Sequence, residues 1–169
     1  MIKKIFVFLF WSAVLCASTP VRLENSKVLQ HAQTELPHEG ILQMTEEGFL
    51  YVELPKEYVF ELIPLLTKDK EVVCPPPYFD KGKIGAHITV ATVSEMRDRK
   101  KDIPYLGQKV TFSILSLEKV DLLDSVLQAK AVYMLAIESD QIAEIRKKLD
   151  LPVKIRDHNF HITIAVDCS

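Results

Sequence analysis

A surplus of positive charge is missing from this chain: 21 Lys and Arg face 23 Asp and Glu across 169 residues. Gripping long nucleic acid requires many phosphate contacts, so that class of function is excluded; a single phosphate, which needs only a few local donors, is not. Also missing is an apolar run long enough to cross a bilayer comfortably, since the run at residues 5–15 falls short. Cysteine is scarce, with three in all. What is plentiful is apolar side chain: 48% of residues are hydrophobic, enough for one domain with a substantial core.

The short apolar run follows Lys3 and Lys4 and precedes the small residues Ala17 and Ser18. A basic start, a short apolar middle and small residues at the end read as a secretory signal peptide over residues 1–18. Export to a periplasm or out of the cell is therefore expected, with no membrane association after cleavage. Cys16 leaves an uncleaved or lipid-anchored form as the alternative. Without residues 1–17, 19 basic residues face 23 acidic ones, a balance of −4. Residues 19–39 are polar with prolines at both ends and read as a linker holding at most one short helix, with His31 and His38 as surface histidines. The folded domain is expected over residues 40–169.

Two phrases in that domain repeat one another: GAHITVAT at residues 85–92 and HNFHITIAV at residues 158–166. Read as strands, each sends alternate side chains to opposite faces. Ala86, Ile88 and Val90 share a face in the first, and Phe160, Ile162, Ile164 and Val166 in the second. The opposite faces carry His87, Thr89 and Ala91, and His161, Thr163 and Ala165. One buried face explains the alternation. It does not explain an identical His-Ile-Thr on both polar faces.

The remaining elements fall around these strands. Residues 49–53 suggest a strand, and Pro55 opens a helix with a buried stripe at Val59, Leu62, Ile63 and Leu66, which Pro64 should kink or shorten. Residues 68–84 read as an irregular loop, and residues 95–102 as a solvated charged segment. Strands over residues 109–117 and 126–137, a helix over 140–149 capped by Ser139 or Asp140, and the second motif strand complete the chain. The halves resemble each other. The expected fold class is α+β: a bilobed, pseudo-twofold duplicated domain whose antiparallel sheets line a central cleft, with helices outside.

A histidine titrating near neutrality moves protons, and a threonine hydroxyl two residues on can hold a phosphate oxygen. Two such units facing each other supply an acid, a base and two phosphate ligands for in-line displacement at phosphorus. No carboxylate or cysteine stands at a ligand spacing beside either histidine, so neither metal nor other cofactor is expected. His-Ile-Thr in GAHITV and FHITIAV, with EIRKKLDLP ahead of the second copy, resembles the two-histidine (2H) phosphoesterases, and within them the branch associated with Swiss Army Knife RNA-repair proteins. The resemblance spans residues 40–167. It implies His87 and His161 as catalytic residues and Thr89 and Thr163 as phosphate ligands. The implied substrate is a 2′,3′-cyclic or related nucleotide or RNA-end phosphodiester, cleaved without metal. Intracellular relatives make the signal peptide a departure, which bears on a repair role more than on the chemistry. A noncatalytic nucleotide- or phosphate-binding module of the same fold is the alternative.

Tyr78 and Lys83, in the loop before the first motif, are candidate substrate-binding residues, by stacking on a base or approaching a phosphate. Cys74 and Cys168 remain open between a disulfide and two free thiols. Which histidine is the first base is open too. A monomer is expected.

Overall fold

The computed structural model describes residues 19–66, 72–79, 83–97, 102–122, 129–155 and 158–168. The expected signal peptide lies outside these residues, as does the expected strand start at residue 126. In chain order the elements are β1 (Val21–Arg22), α1 (Ser26–Thr34), β2 (Glu39–Met44), β3 (Leu50–Glu53), α2 (Glu57–Phe60) and α3 (Ile63–Leu66). There follow β4 (Val73–Cys74), a 3-10 turn (Pro77–Phe79), β5 (His87–Ala91), α4 (Val93–Met96) and β6 (Lys109–Thr111). The last are β7 (Ser113–Asp121), β8 (Ala131–Glu138), α5 (Asp140–Lys148) and β9 (Phe160–Asp167).

The fold is α+β, built on one large antiparallel sheet in the order β1-β7-β8-β9-β5-β3-β2-β6, with β4 pairing the far end of β9. The two motif strands, β5 and β9, are therefore hydrogen-bonded neighbours at the middle of one sheet rather than members of separate sheets facing each other. Both strands expose backbone donors and acceptors along their edges, and pairing them directly satisfies those groups. Ile88 and Ile162 meet at this junction, fully buried in a core shared with Val28 and Ala32 of α1, Val59 of α2, and Ile142 and Ile145 of α5. Of the stripe expected after Pro55, Val59 and Leu62 are buried while Ile63 and Leu66 are half-buried, and the helix is broken into α2 and α3, with Pro64 in the first turn of the second.

Residues 19–39 are not a linker. Asn25 caps α1 by accepting from the Val28 amide; Val28 and Ala32, four apart, bury one helix face, and Leu36 just past the helix end is buried beside them in the core. β1 pairs β7, so the segment belongs to the domain. Its histidines are not simply solvated: His31 pairs with Glu61 at 2.8 Å, and His38 Nε2 lies 3.0 Å from the Ala32 carbonyl.

Glu95, expected in a solvated segment, completes a capping box with Thr92 on α4 and pairs at 2.8 Å with Arg146, which is wholly buried on α5. Arg146 also donates to the Val90 carbonyl at the end of β5, at 2.6 Å, and to Pro152 O, at 2.6 Å. One guanidinium thus joins the first motif strand to the helix that leads into the second. Ser139 caps that helix, accepting from the Ile142 amide. Cys74 and Cys168 are joined as a disulfide spanning 94 residues of sequence, with Cα atoms 6.0 Å apart. In the chain-entropy account such a bridge stabilises by about 4 to 5 kcal/mol.

Candidate active site

The register at the centre of the sheet builds the site. Ile88 lies opposite Ile162. His87 and Thr89 flank Ile88, and His161 and Thr163 flank Ile162, so all four lie on the face away from the two isoleucines. The two imidazoles flank this junction, near enough for the charge of His161 to act on His87. A local twofold relates the two His-Ile-Thr units, and all four side chains are half-buried.

Each imidazole is oriented in the same way. His87 Nδ1 lies 2.8 Å from the carbonyl of Gly85, and His161 Nδ1 lies 3.3 Å from that of Asn159, in both cases two residues back. A carbonyl only accepts, so Nδ1 carries the hydrogen and the neutral ring presents Nε2 as an acceptor; protonated, the ring donates there. Gly85 has φ of 77°, a conformation that side chains rarely adopt, just before β5 begins at His87.

The surroundings differ. Tyr51 lies opposite Thr89 and Glu53 opposite His87 on β3. Three rings stand edge-on to the His87 imidazole, with centroids 4.9 Å away for Tyr78, 5.7 Å for Phe49 and 6.0 Å for Tyr51. Beside the second unit are Met134, opposite Thr163, and the small Ala136, opposite His161. One strand further out lie Glu118 and the buried Ser116, whose hydroxyl donates to Glu118 Oε1 at 2.9 Å.

Burial lowers the pKa of both histidines below the ordinary value, because the charged ring is poorly solvated there. At His87 the Gly85 carbonyl opposes this, and the charge of His161 adds to it. At His161 the Asn159 carbonyl opposes it, His158 adds to it, and the Glu118 carboxylate opposes it again. Burial raises the Tyr78 pKa strongly, against a hydrogen bond with Thr163 that favours the phenolate. Tyr51 is raised too, by burial and by Glu53.

Of the residues singled out in the sequence, His87, Thr89, His161, Thr163 and Tyr78 come together. Lys83 is exposed on the same loop as Tyr78, its ammonium donating to Pro77 O at 2.9 Å. Phe49, Tyr51 and Glu118 were not foreseen as neighbours of the site. The alternation of FLYVE places Tyr51 with the polar face only once β3 is known to pair β5, and Glu118 depends on the register of two further strands. Among the described residues, no three His, Cys, Asp or Glu are grouped to hold a metal ion.

A family model described as Swiss Army Knife, 2H phosphoesterase domain, matches residues 50–168. Curated proteins and solved structures give no match.

Proposed function

Since the chain belongs to the Swiss Army Knife 2H phosphoesterase family, and is thereby a phosphoesterase, we propose that it hydrolyses a 2′,3′-cyclic or related nucleotide or RNA-end phosphodiester. The reaction is paired-histidine general acid–base catalysis without metal. The observation that supports this reading is the pairing of the two motif strands at Ile88 and Ile162, with an Nδ1-anchored imidazole beside each isoleucine.

A phosphate held over that point takes hydrogen bonds from Thr89 and Thr163 on its non-bridging oxygens. One neutral imidazole accepts a proton at Nε2 from water as the water oxygen bonds to phosphorus. The other, protonated, gives its Nε2 proton to the ribose oxygen as the P–O bond breaks. Water is consumed, a phosphomonoester and a ribose hydroxyl are formed, and the two histidines have exchanged protonation states. The threonine hydroxyls follow the charge that builds on the equatorial oxygens.

The halves of the sheet support a duplicated, bilobed origin for this pairing. The order strand, strand, helix, strand occurs as β2, β3, α2–α3, β5 and again as β7, β8, α5, β9. Each half accepts an edge strand from the other, β6 beside β2 and β1 beside β7. The Cys74–Cys168 bridge supports export to an oxidising compartment. The enzyme acts there as a monomer on a nucleotide or RNA end.

The test is turnover of 2′,3′-cyclic mononucleotides by the EDTA-treated chain, compared with His87→Ala and His161→Ala. Turnover that either substitution abolishes supports the reading. Tight binding with no turnover across a broad phosphoester panel would replace it with a noncatalytic binding module.

A further inference from the structure

The two motif strands do not by themselves account for how His87 is enclosed. A separate segment, residues 72–79, leaves the far end of β9 and returns over the site. It begins at β4, where Val73 pairs Asp167 and Cys74 pairs Val166, and it is tied there by the bridge to Cys168. Three consecutive prolines, Pro75 to Pro77, then lead to Tyr78.

We propose that Tyr78 is the positioning residue of the paired-histidine site, and that the Cys74–Cys168 disulfide, acting through the triple-proline link, holds it there, so that the site is fully assembled only while the bridge is intact. This rests on the paired-histidine reading above, which it extends to a residue and a redox condition.

Four contacts carry it. The Tyr78 ring packs on His87 at 4.9 Å. Its hydroxyl lies near enough to Thr163, in the other unit, to bear on the phenol's proton affinity. Its carbonyl accepts from the Gly85 amide at 3.2 Å, and the Gly85 carbonyl in turn accepts from His87 Nδ1 at 2.8 Å. One residue thus covers the first imidazole, holds the peptide that sets its tautomer, and touches the second unit. Phe79 packs against Phe60 at 5.1 Å, the other fixed point of the segment.

The link between bridge and tyrosine is stiff, because each proline ring fixes φ near −65° and leaves few conformers for the chain between Cys74 and Tyr78. β4 itself is only two residues long, held beside β9 by two ladder pairs, by the Cys168 amide donating to the Val72 carbonyl at 2.9 Å and by Val73 packing on the core, and the disulfide is its covalent tie. Cys168 is exposed, within reach of a dithiol. Two electrons and two protons from the dithiol convert the bridge to two thiols, and the dithiol becomes a disulfide. The tethered segment then gains freedom, and Tyr78 loses its fixed place.

The readout is the titration of His87 followed by NMR. Tyr78 from the loop, Tyr51 and Glu53 from β3, and His161 from β9 are the titratable groups around that ring. The full chain is compared with the bridge intact, after dithiothreitol, and as a Cys74→Ser, Cys168→Ser double variant. Tyr78→Ala and Tyr78→Phe are measured with the bridge intact. Removing the bridge or the Tyr78 ring is expected to move the His87 midpoint upward toward the ordinary histidine value. Turnover of a cyclic nucleotide should fall on the order of a hundredfold, the scale of a small misplacement of a catalytic group. Tyr78→Phe, which keeps the ring, should restore the midpoint.

An unchanged His87 titration in the folded, reduced chain overturns the role of the bridge, and an unchanged one in Tyr78→Ala overturns the role of the tyrosine. If reduction unfolds the chain, a Pro75→Gly, Pro76→Gly variant with the bridge intact decides the role of the tie, which an unchanged His87 midpoint there overturns, and Tyr78→Ala decides that of the tyrosine. A midpoint that moves in a protein that turns over no phosphoester upholds the positioning and removes the enzymatic reading. Turnover that persists with no movement does the reverse.

Discussion

His87 and His161 stand in identical tripeptides, on neighbouring strands, with the same backbone anchor, yet in unlike company. His87 is ringed by Phe49, Tyr51 and Tyr78. His161 has Ala136 beside it, with His158 and Glu118 within electrostatic reach. The motif fixes where the two imidazoles are and how each ring is turned. Proton affinity comes from the neighbours, which the motif does not contain. An acid and a base made from the same residue require such a difference, since catalysis needs one ring charged while the other is neutral.

The comparison is broken most severely by removing either ring. His87→Ala and His161→Ala are each expected to lower turnover at least about a hundredfold, and the double variant little further, because the two act as one unit. Steady-state kinetics on a cyclic nucleotide check this. Next comes the tie between the halves: Arg146→Ala removes the buried cation of the Glu95 ion pair and should cost about 3 kcal/mol of stability, read from denaturant midpoints. It should disturb both motifs alike, since Arg146 binds the end of β5 from the helix preceding β9. Thr89→Val and Thr163→Val remove single hydrogen bonds to a charged phosphate and should each cost about tenfold or more in turnover. Unequal losses would show which side of the phosphate bears more charge.

Protonation gives a finer view. Both folded histidines titrate below the ordinary value of 6.5. The native state therefore binds fewer protons than the unfolded chain as pH falls below that value, and this contribution to stability is full above it and lost through the acid side. For catalysis, one ring must be charged and the other neutral in the free enzyme. The kcat/KM profile should then be a bell with its maximum below pH 6.5. A flat profile from pH 5 to 8 would contradict the pairing. The smallest expected effect is that of Glu118→Gln, which removes the carboxylate that favours His161 cation. It should shift the His161 midpoint further to acid and leave that of His87 nearly in place.

The motif strands, their buried faces, an α5 cap at Ser139 or Asp140 and the shortening of a helix near Pro64 were legible because each is a local matter of alternation, capping or backbone geometry. The pairing of β5 with β9 was not, since register is a relation between segments more than 70 residues apart, and nothing in either phrase states its partner. Residues 19–39 were misread because three small or aliphatic side chains at four-residue spacing are a faint stripe in a polar stretch. Glu95 and Arg146 were hidden in charged runs; burial of one guanidinium is decided by where α5 lands. The cysteine pairing stayed open until β4 was placed beside β9.

Whether both imidazoles address one phosphate is tested most directly by titrating the folded chain with inorganic phosphate while following the imidazole nitrogens of His87 and His161 by NMR. Both Nε2 signals should move together along a single saturation curve. Two separate curves, or a response from one ring alone, would contradict the shared site.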